Sequence, residues 1–240
     1  MGRYGPALSA AHADAAGLRP GDRALDVGCG PGALVGELAG RLGAERVAAV
    51  EPWEPFMELA REAVPGADVR AAPAERLPFP EGAFDVVMSQ LVVNFMSDPE
   101  AGVAEMRRVA RRTVTSCTWD YAGGMTMLRT FWDAALELDP SAPDEGRTMR
   151  FCTPAELAAL WERAGLRAVE TGAIVVEAGY AGFEDYWEPF TAGLAPSGAY
   201  CAGLDDDARA ALREACFRRL GAPAGPFTLS ARAWLVRGTV

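Results

Sequence analysis

Short apolar runs alternate with amphipathic stretches over the first half of the chain. Residues 23–27 read as a strand, residues 28–32 as a glycine turn, and residues 33–42 as a helix closed by Gly43. Residues 46–50, 68–71, 84–89 and 113–119 read as further strands. Between them fall a helix over 52–64, ended by Pro65-Gly66, and a helix to residue 110. The latter is opened by Asp98 as N-cap, Pro99 and the acidic Glu100. Such β–α alternation is the pattern of a parallel sheet covered on both faces.

After Trp119 the rhythm changes. Residues 126–138 read as an amphipathic helix and 139–147, with Pro140 and Pro143, as a loop. Thr153-Pro154-Ala155-Glu156 is a capping box opening a helix to about residue 164. A strand over 166–176, helices over 183–192 and 206–220, and a final strand over 229–236 follow. The expected fold is a doubly wound, mostly parallel α/β sheet with an inserted helical lid and an antiparallel final strand. One domain over 1–240 is expected, with a core over 18–119, an inserted region with one sheet strand over 120–228, and the last strand over 229–236.

The glycine turn carries the chemistry. In Leu25-Asp26-Val27-Gly28-Cys29-Gly30-Pro31-Gly32 a strand delivers the chain to a turn where side chains would block a ligand. Glycines let the backbone come close, and the next helix points its N-terminus at the same crevice. Glu51 stands at the end of the second strand, where a carboxylate reaches a ribose diol. Gly28, Gly30 and Ala33 also fit a dinucleotide fingerprint, with Glu51 as its ribose acid. Asp26 separates the two readings. A carboxylate beside the turn repels a pyrophosphate and welcomes an ammonium or a sulfonium.

Asp-x-Gly-x-Gly-x-Gly followed by an acid after the second strand resembles the signature of class I S-adenosylmethionine-dependent methyltransferases. The stretch from Ala74-Glu75-Arg76-Leu77-Pro78-Phe79 to Phe84-Asp85-Val86-Val87 is similar to a segment of the ubiquinone/menaquinone-biosynthesis-type (type 11) subgroup. The resemblance covers residues 18–119 and implies a Rossmann-like fold and S-adenosylmethionine as cofactor, with S-adenosylhomocysteine as product. It implies that Gly28, Cys29, Gly30 and Gly32 line the methionine moiety and that Asp26 faces its ammonium. Glu51 would hold the ribose, Pro52 and Trp53 the adenine face, Ala74 and Glu75 the adenine edge, and Gln90 and Leu91 the region of the sulfonium. Two departures stand out. Pro73 replaces an Asp common before the Ala-Glu pair, and Arg111-Arg112-Thr113 replaces a Pro-Gly-Gly before the fifth strand.

Acceptor-side candidates sit after strand ends, where open α/β sheets bind ligands. These are Asn94, Trp119 and Tyr121 for the substrate and Asp120 as a proton acceptor. His12, the single histidine, is read either as a base or as an ordinary surface residue on an Ala-rich helix. Arg3 and Tyr4 either fold over the cofactor or belong to an unordered start. The helically spaced aromatics Tyr180, Phe183, Tyr186, Trp187 and Phe190 are read as core or as an apolar substrate wall. The lid formed by 126–138 and 180–190 is expected to close an acceptor pocket faced by Trp119 and Asp120.

Composition narrows the partners. The chain has 240 residues, half of them apolar, and a net charge of −10 with every basic residue an arginine. That charge disfavours nucleic acid and leaves a small-molecule acceptor. The arginines at 107, 108, 111 and 112 are read as a solvated helix terminus. Five cysteines without a Cys-x-x-Cys pair, and one histidine, argue against a metal site. No leader-like segment and no apolar run of membrane-spanning length is present, so a cytoplasmic protein without membrane association is expected, with a homodimer as one option. The reading is a small-molecule methyltransferase acting on O, N or C. A catalytically silent cofactor-binding domain and, more remotely, an NAD-dependent oxidoreductase are the alternatives.

Overall fold

A computed structural model describes residues 2–240 of the chain. In chain order the elements are α1 (Gly5–Ala15), β1 (Ala24–Val27), α2 (Ala33–Leu42), β2 (Val47–Val50), α3 (Glu54–Ala63) and β3 (Asp68–Arg70). Then come β4 (Phe84–Gln90), α4 (Pro99–Val109), β5 (Ala110–Trp119), α5 (Thr126–Leu138), α6 (Glu145–Thr148) and α7 (Pro154–Arg163). The chain ends with β6 (Arg167–Tyr180), α8 (Phe183–Thr191), α9 (Ala195–Gly203), α10 (Asp206–Arg219) and β7 (Phe227–Thr239).

The seven strands lie in the order β3-β2-β1-β4-β5-β7-β6. β1 to β5 pair in parallel. β7 runs against β5: the Asp120 N–H donates to the Arg232 carbonyl and the Val240 N–H to the Arg112 carbonyl. The chain winds outward from β1 to β3, then returns to the other side of β1 as β4. Such a reversal opens a crevice at the carboxyl ends of the strands on either side of it, where doubly wound sheets bind ligands.

Two compact units divide the chain: residues 1–118, 150–174 and 233–240 in one, and 119–149 and 175–232 in the other. In the first unit the sheet has a core on each face. Leu25, Val27, Ala48, Val50 and Val87 point to one face, where Val103, Met106, Leu157, Leu160 and Trp161 of α4 and α7 cover them. Ala24, Val47, Ala49, Val86 and Met88 point to the other, under Leu34, Val35 and Leu38 of α2 and Met57 and Ala60 of α3. Asp26 shares this second face with Ala24 by strand alternation and is the acid among these apolar neighbours.

The second unit is built on aromatic packing. Phe131 stacks on Phe190 with centroids 4.4 Å apart, and Tyr180 stacks on Phe227 at 5.2 Å. Phe183, Tyr186, Trp187 and Phe190 are all buried, so the helically spaced aromatics form this unit's core. Among the described residues no helix is long and apolar enough to cross a membrane.

Some boundaries differ from expectation. β5 begins at Ala110 directly after α4, three residues earlier than the sequence indicates. Ion pairs explain the extension, since Arg112 reaches Asp22 at 2.5 Å and Arg111 reaches Asp85 at 3.6 Å. Arg108 likewise is no free terminal charge: it binds Glu105 and donates to the carbonyls of Phe79 and Leu77. α9 was not expected, because Pro196, Gly198 and Gly203 read locally as turn residues. α1 is preceded by a 3₁₀ turn over Gly2–Tyr4 that buries Tyr4.

Candidate functional site

β1 ends on Val27, and the turn that follows needs its glycines. Gly28, Gly30 and Gly32 all take left-handed φ values, of 77°, 51° and 102°. Their surroundings differ. A Cβ on Gly28 would lie 2.6 Å from Val92 Cγ2, and one on Gly32 would lie 3.2 Å from the Ala60 backbone. A Cβ on Gly30 would meet nothing within 4 Å. Gly28 and Gly32 therefore serve the chain's own packing, whereas Gly30 borders open space that a ligand can fill.

Asp26 stands in front of this turn at 1% exposure. Neither of its carboxylate oxygens has a hydrogen-bond partner among the described residues. Burial pushes its pKa from 3.8 to about 8; the Val35 amide offsets this in part, and the nearby Glu51 adds to it. A buried acid without donors is costly, and such groups are retained where a ligand supplies the missing partner. Glu51, at the carboxyl end of β2, folds back onto the turn. Its Oε2 accepts the Gly30 N–H at 2.9 Å and its Oε1 the Trp53 N–H at 3.0 Å. A carboxylate therefore already takes the amide that a pyrophosphate would need. Cys29 lies buried near these acids; burial first, and then the charges of Asp26 and Glu51, push its thiol up and keep it protonated.

The remaining cofactor-side candidates fall into two groups. Gln90 ends β4, next to β1 in the sheet, and Leu91, which follows it, takes a left-handed φ of 63°. A non-glycine residue in that region is strained, and such strain gathers at functional sites. Trp53 is 54% exposed, with Pro52 exposed beside it, and packs edge-on against Phe56 with centroids 4.3 Å apart. Ala74 packs into the core, and Glu75 accepts the Asp98 N–H at 3.1 Å, tying its loop to the start of α4.

His12 is completely buried, not on the surface. Its Nε2 lies 3.3 Å from Thr115 Oγ1 and its Nδ1 3.5 Å from Cys117 Sγ. Burial lowers its pKa to about 4, against an opposing pull from Gln90, so it is neutral near pH 7. Asn94, in the turn after β4, has both amide atoms buried and without hydrogen-bond partners among the described residues. Trp119, Asp120 and Tyr121 belong to the second unit and are buried there. Asp120 is committed: its Oδ2 accepts from Arg232 at 2.6 Å and its Oδ1 from the Gly123 N–H at 3.1 Å. The same unit holds a cavity of about 390 Å³ beside Arg129, whose guanidinium is already bound by Asp133 and Asp144. No group of residues able to hold a metal occurs among the described residues.

Sequence reasoning missed Ser9. It is buried on α1 and accepts the Gln90 amide N–H at 2.9 Å. The signal was present but weak: Ser9 and His12 are polar positions three apart, hence on one face of an Ala-rich helix.

A doubly wound sheet of this order, with an acid before the glycine turn and another at the end of β2, is the fold of class I methyltransferases. Residues 25–115 match the family described as "Methyltransferase domain". A malonyl-[acyl-carrier protein] O-methyltransferase of Geobacter sulfurreducens is 34% identical over 160 residues, which are 65% of this chain and 59% of that protein. A ubiquinone/menaquinone biosynthesis C-methyltransferase of Cupriavidus taiwanensis is 33% identical over 101 residues, 40% of this chain and 42% of that protein. The chain spans 30%, 36% and 59% of the length of three curated relatives it matches. Among solved structures, a Haemonchus contortus phosphoethanolamine N-methyltransferase 2 in complex with S-adenosyl-L-methionine superposes with a TM-score of 0.58 at 15% identity. That match covers 98% of this chain and 52% of that one, and it bears on the fold alone.

Proposed function

We propose that the chain is an S-adenosylmethionine-dependent methyltransferase acting on a small molecule, related to the ubiquinone/menaquinone-biosynthesis-type enzymes. The observation that carries this reading is Asp26, a buried acid with no charged partner and no close hydrogen bond, set before a glycine turn that opens to free space at Gly30. The cofactor's ammonium is the missing donor, and Glu51 keeps a carboxylate at the end of β2 for the ribose hydroxyls. Trp53, exposed beside it, offers an aromatic face to the adenine. The named methyltransferase relatives support the same reading.

When bound, the cofactor supplies a methyl group on a sulfonium, which an acceptor lone pair displaces to leave the neutral thioether S-adenosylhomocysteine. The chain's share is alignment and exclusion of water. Asp120 and His12, the two candidate proton acceptors, are poor bases as placed. One is ion-paired to Arg232, and burial holds the other neutral with its nitrogens facing Thr115 and Cys117. We therefore assign the reaction to acceptors nucleophilic enough to need no dedicated base. Asn94, with a free donor and a free acceptor on one buried amide, is the residue we assign to orienting such an acceptor. The two curated relatives described above are named for O- and C-methylation, which supports O and C acceptors, and the proposal keeps an N acceptor beside them. The net charge of −10 supports a small molecule over nucleic acid.

Titration calorimetry with S-adenosylhomocysteine tests binding, and release of S-adenosylhomocysteine from S-adenosylmethionine with a panel of acyl-thioester, quinol and amine acceptors tests turnover. Binding with turnover is expected. Absence of binding, or tight binding of NAD instead, ends the proposal, and binding without turnover on any acceptor points to a silent cofactor-binding domain.

A further inference from the structure

α1 lies on the sheet face that carries Asp26, and it docks there through polar as well as apolar groups. Its start approaches the glycine turn, since a Cβ on Gly5 would lie 3.8 Å from Ala33 Cβ. Leu8 and Ala13 supply apolar packing, while Ser9 and His12 are buried beside them. Ser9 Oγ accepts the Gln90 Nε2–H at 2.9 Å, whereas Gln90 Oε1 is buried without a hydrogen bond of good geometry, near enough to His12 that the amide pulls that ring's pKa upward. His12 reaches Cys117, which stands opposite Gln90 in the β4–β5 register.

Gln90 and Asp26 share this face. Asp26 is opposite Met88 in the β1–β4 register, and Gln90 is two residues further along the same strand. The chain thus presents three buried acceptor oxygens that make no hydrogen bond of good geometry at the carboxyl ends of adjacent strands, both of Asp26 and one of Gln90, with only the Val35 amide and His12 acting on them from a distance. An amide has a donor end and an acceptor end, and which end faces outward is set by the partners it finds. Ser9 takes the donor end.

We propose that Ser9 is a positioning residue for the methyl-donor site. By accepting the Gln90 N–H it holds the Gln90 carbonyl oxygen free on the Asp26 face, where that oxygen favours a ligand bearing a sulfonium over its neutral thioether counterpart. This rests on the reading of the site as one for S-adenosylmethionine. Without Ser9 the Gln90 NH₂ loses its acceptor and is free to turn toward Asp26, the unsatisfied carboxylate on the same face. A turned amide presents a donor to a cation and also occupies Asp26. The ammonium is common to S-adenosylmethionine and S-adenosylhomocysteine, so the ratio of their affinities isolates the sulfonium charge.

The test measures dissociation constants for both ligands by titration calorimetry on the full chain. In Ser9→Ala the constant for S-adenosylmethionine is expected to rise about fivefold, the usual size of one lost hydrogen bond, with S-adenosylhomocysteine changing less than about twofold. Gln90→Met is expected to reproduce the loss of discrimination, and Ser9→Ala in that background to add nothing. Ser9→Cys, close in volume and a weaker acceptor, is expected to fall between wild type and Ser9→Ala; circular dichroism confirms folding of each. Equal weakening of both ligands, an unchanged ratio in Ser9→Ala, or a full further loss in the Gln90→Met background overturns the proposal. Wild-type protein that binds neither ligand overturns the reading of the site and this inference with it, whereas an unchanged ratio on a wild type that binds both removes this inference alone.

Discussion

Replacing Asp26 by asparagine should stabilise the unliganded protein and destroy its ligand binding. The carboxyl is held in an apolar layer with no close hydrogen bond at either oxygen, and burial, only partly offset by the Val35 amide, carries its pKa from 3.8 to about 8. Below pH 3.8 the acid is protonated whether the chain is folded or not, and it costs nothing beyond an unsatisfied polar group. As the pH rises from there, the unfolded chain ionises while the folded chain keeps its proton, so stability falls steadily until pH 8. Above pH 8 the full difference is present. That gap corresponds to roughly 5–6 kcal/mol as an upper bound, which water admitted to the site reduces. Asparagine mimics the neutral acid in shape and polarity and removes the ionisation. The variant should therefore match wild type at pH 4 and exceed it increasingly up to pH 8.5, by several kcal/mol. Urea unfolding at pH 4, 6 and 8.5 without ligand measures the difference, and calorimetry with S-adenosylhomocysteine on the same samples measures binding. In wild type, binding a cation forces Asp26 to ionise, so affinity should weaken up to about tenfold per pH unit below 8 with release of a proton. A variant no more stable than wild type at pH 8.5, or one that still binds with wild-type affinity, would refute this account of Asp26.

Other outcomes follow from the same site. Glu51→Ala should weaken S-adenosylhomocysteine binding by roughly 1.5–3 kcal/mol in calorimetry, as charge-assisted hydrogen bonds are lost. Gly30→Val should fold by circular dichroism yet fail to bind, because its side chain enters open space, whereas Gly28→Ala should unfold more readily, by about 1–3 kcal/mol, because its Cβ lies 2.6 Å from Val92 Cγ2. His12, with a pKa lowered to about 4 from 6.5, should make stability fall as the pH drops from 6.5 to 4, by up to about 3 kcal/mol; the decline should be smaller in His12→Gln under the same urea titration. Arg232→Met should cost about 1–3 kcal/mol in thermal or urea unfolding by leaving the buried Asp120 carboxylate without its half-exposed cation.

The parallel half of the fold was legible because each of its signals is local. A run such as Leu25-Asp26-Val27 before glycines, or Asp98-Pro99-Glu100 at a helix start, is decided by its own neighbours. Asp26 was legible for the same reason, since an acid two residues before the turn is odd unless something cationic comes there. What stayed hidden depends on distant partners. The early start of β5 rests on Asp22 and Asp85, which lie 90 and 26 residues from the arginines they bind. The burial of His12 rests on Thr115 and Cys117, so an alanine-rich helix with one histidine gave only the weak hint of its spacing from Ser9. Asp120 read as a free acid because Arg232, its partner, lies 112 residues further on.

The choice between a dinucleotide and a sulfonium cofactor turns on where the molecule places charge without compensating it. Ion pairs are common elsewhere: Asp120, Asp144, Asp22 and Glu105 all have arginine partners. At the glycine turn that habit stops. Asp26 has no arginine and no close hydrogen bond, only the Val35 amide acting weakly on it, and Glu51 has only the backbone amides of Gly30 and Trp53. Two acids thus stand within electrostatic reach of each other and raise the pKa of Asp26 and the Cys29 thiol together. A ligand carrying phosphates would add negative charge to this place and would have to displace Glu51 from the Gly30 amide. A ligand carrying an ammonium and a sulfonium reverses the penalty, because each acid gains a positive neighbour that the chain withholds. The instability built into the empty turn is therefore the same free energy that selects a cationic ligand for it.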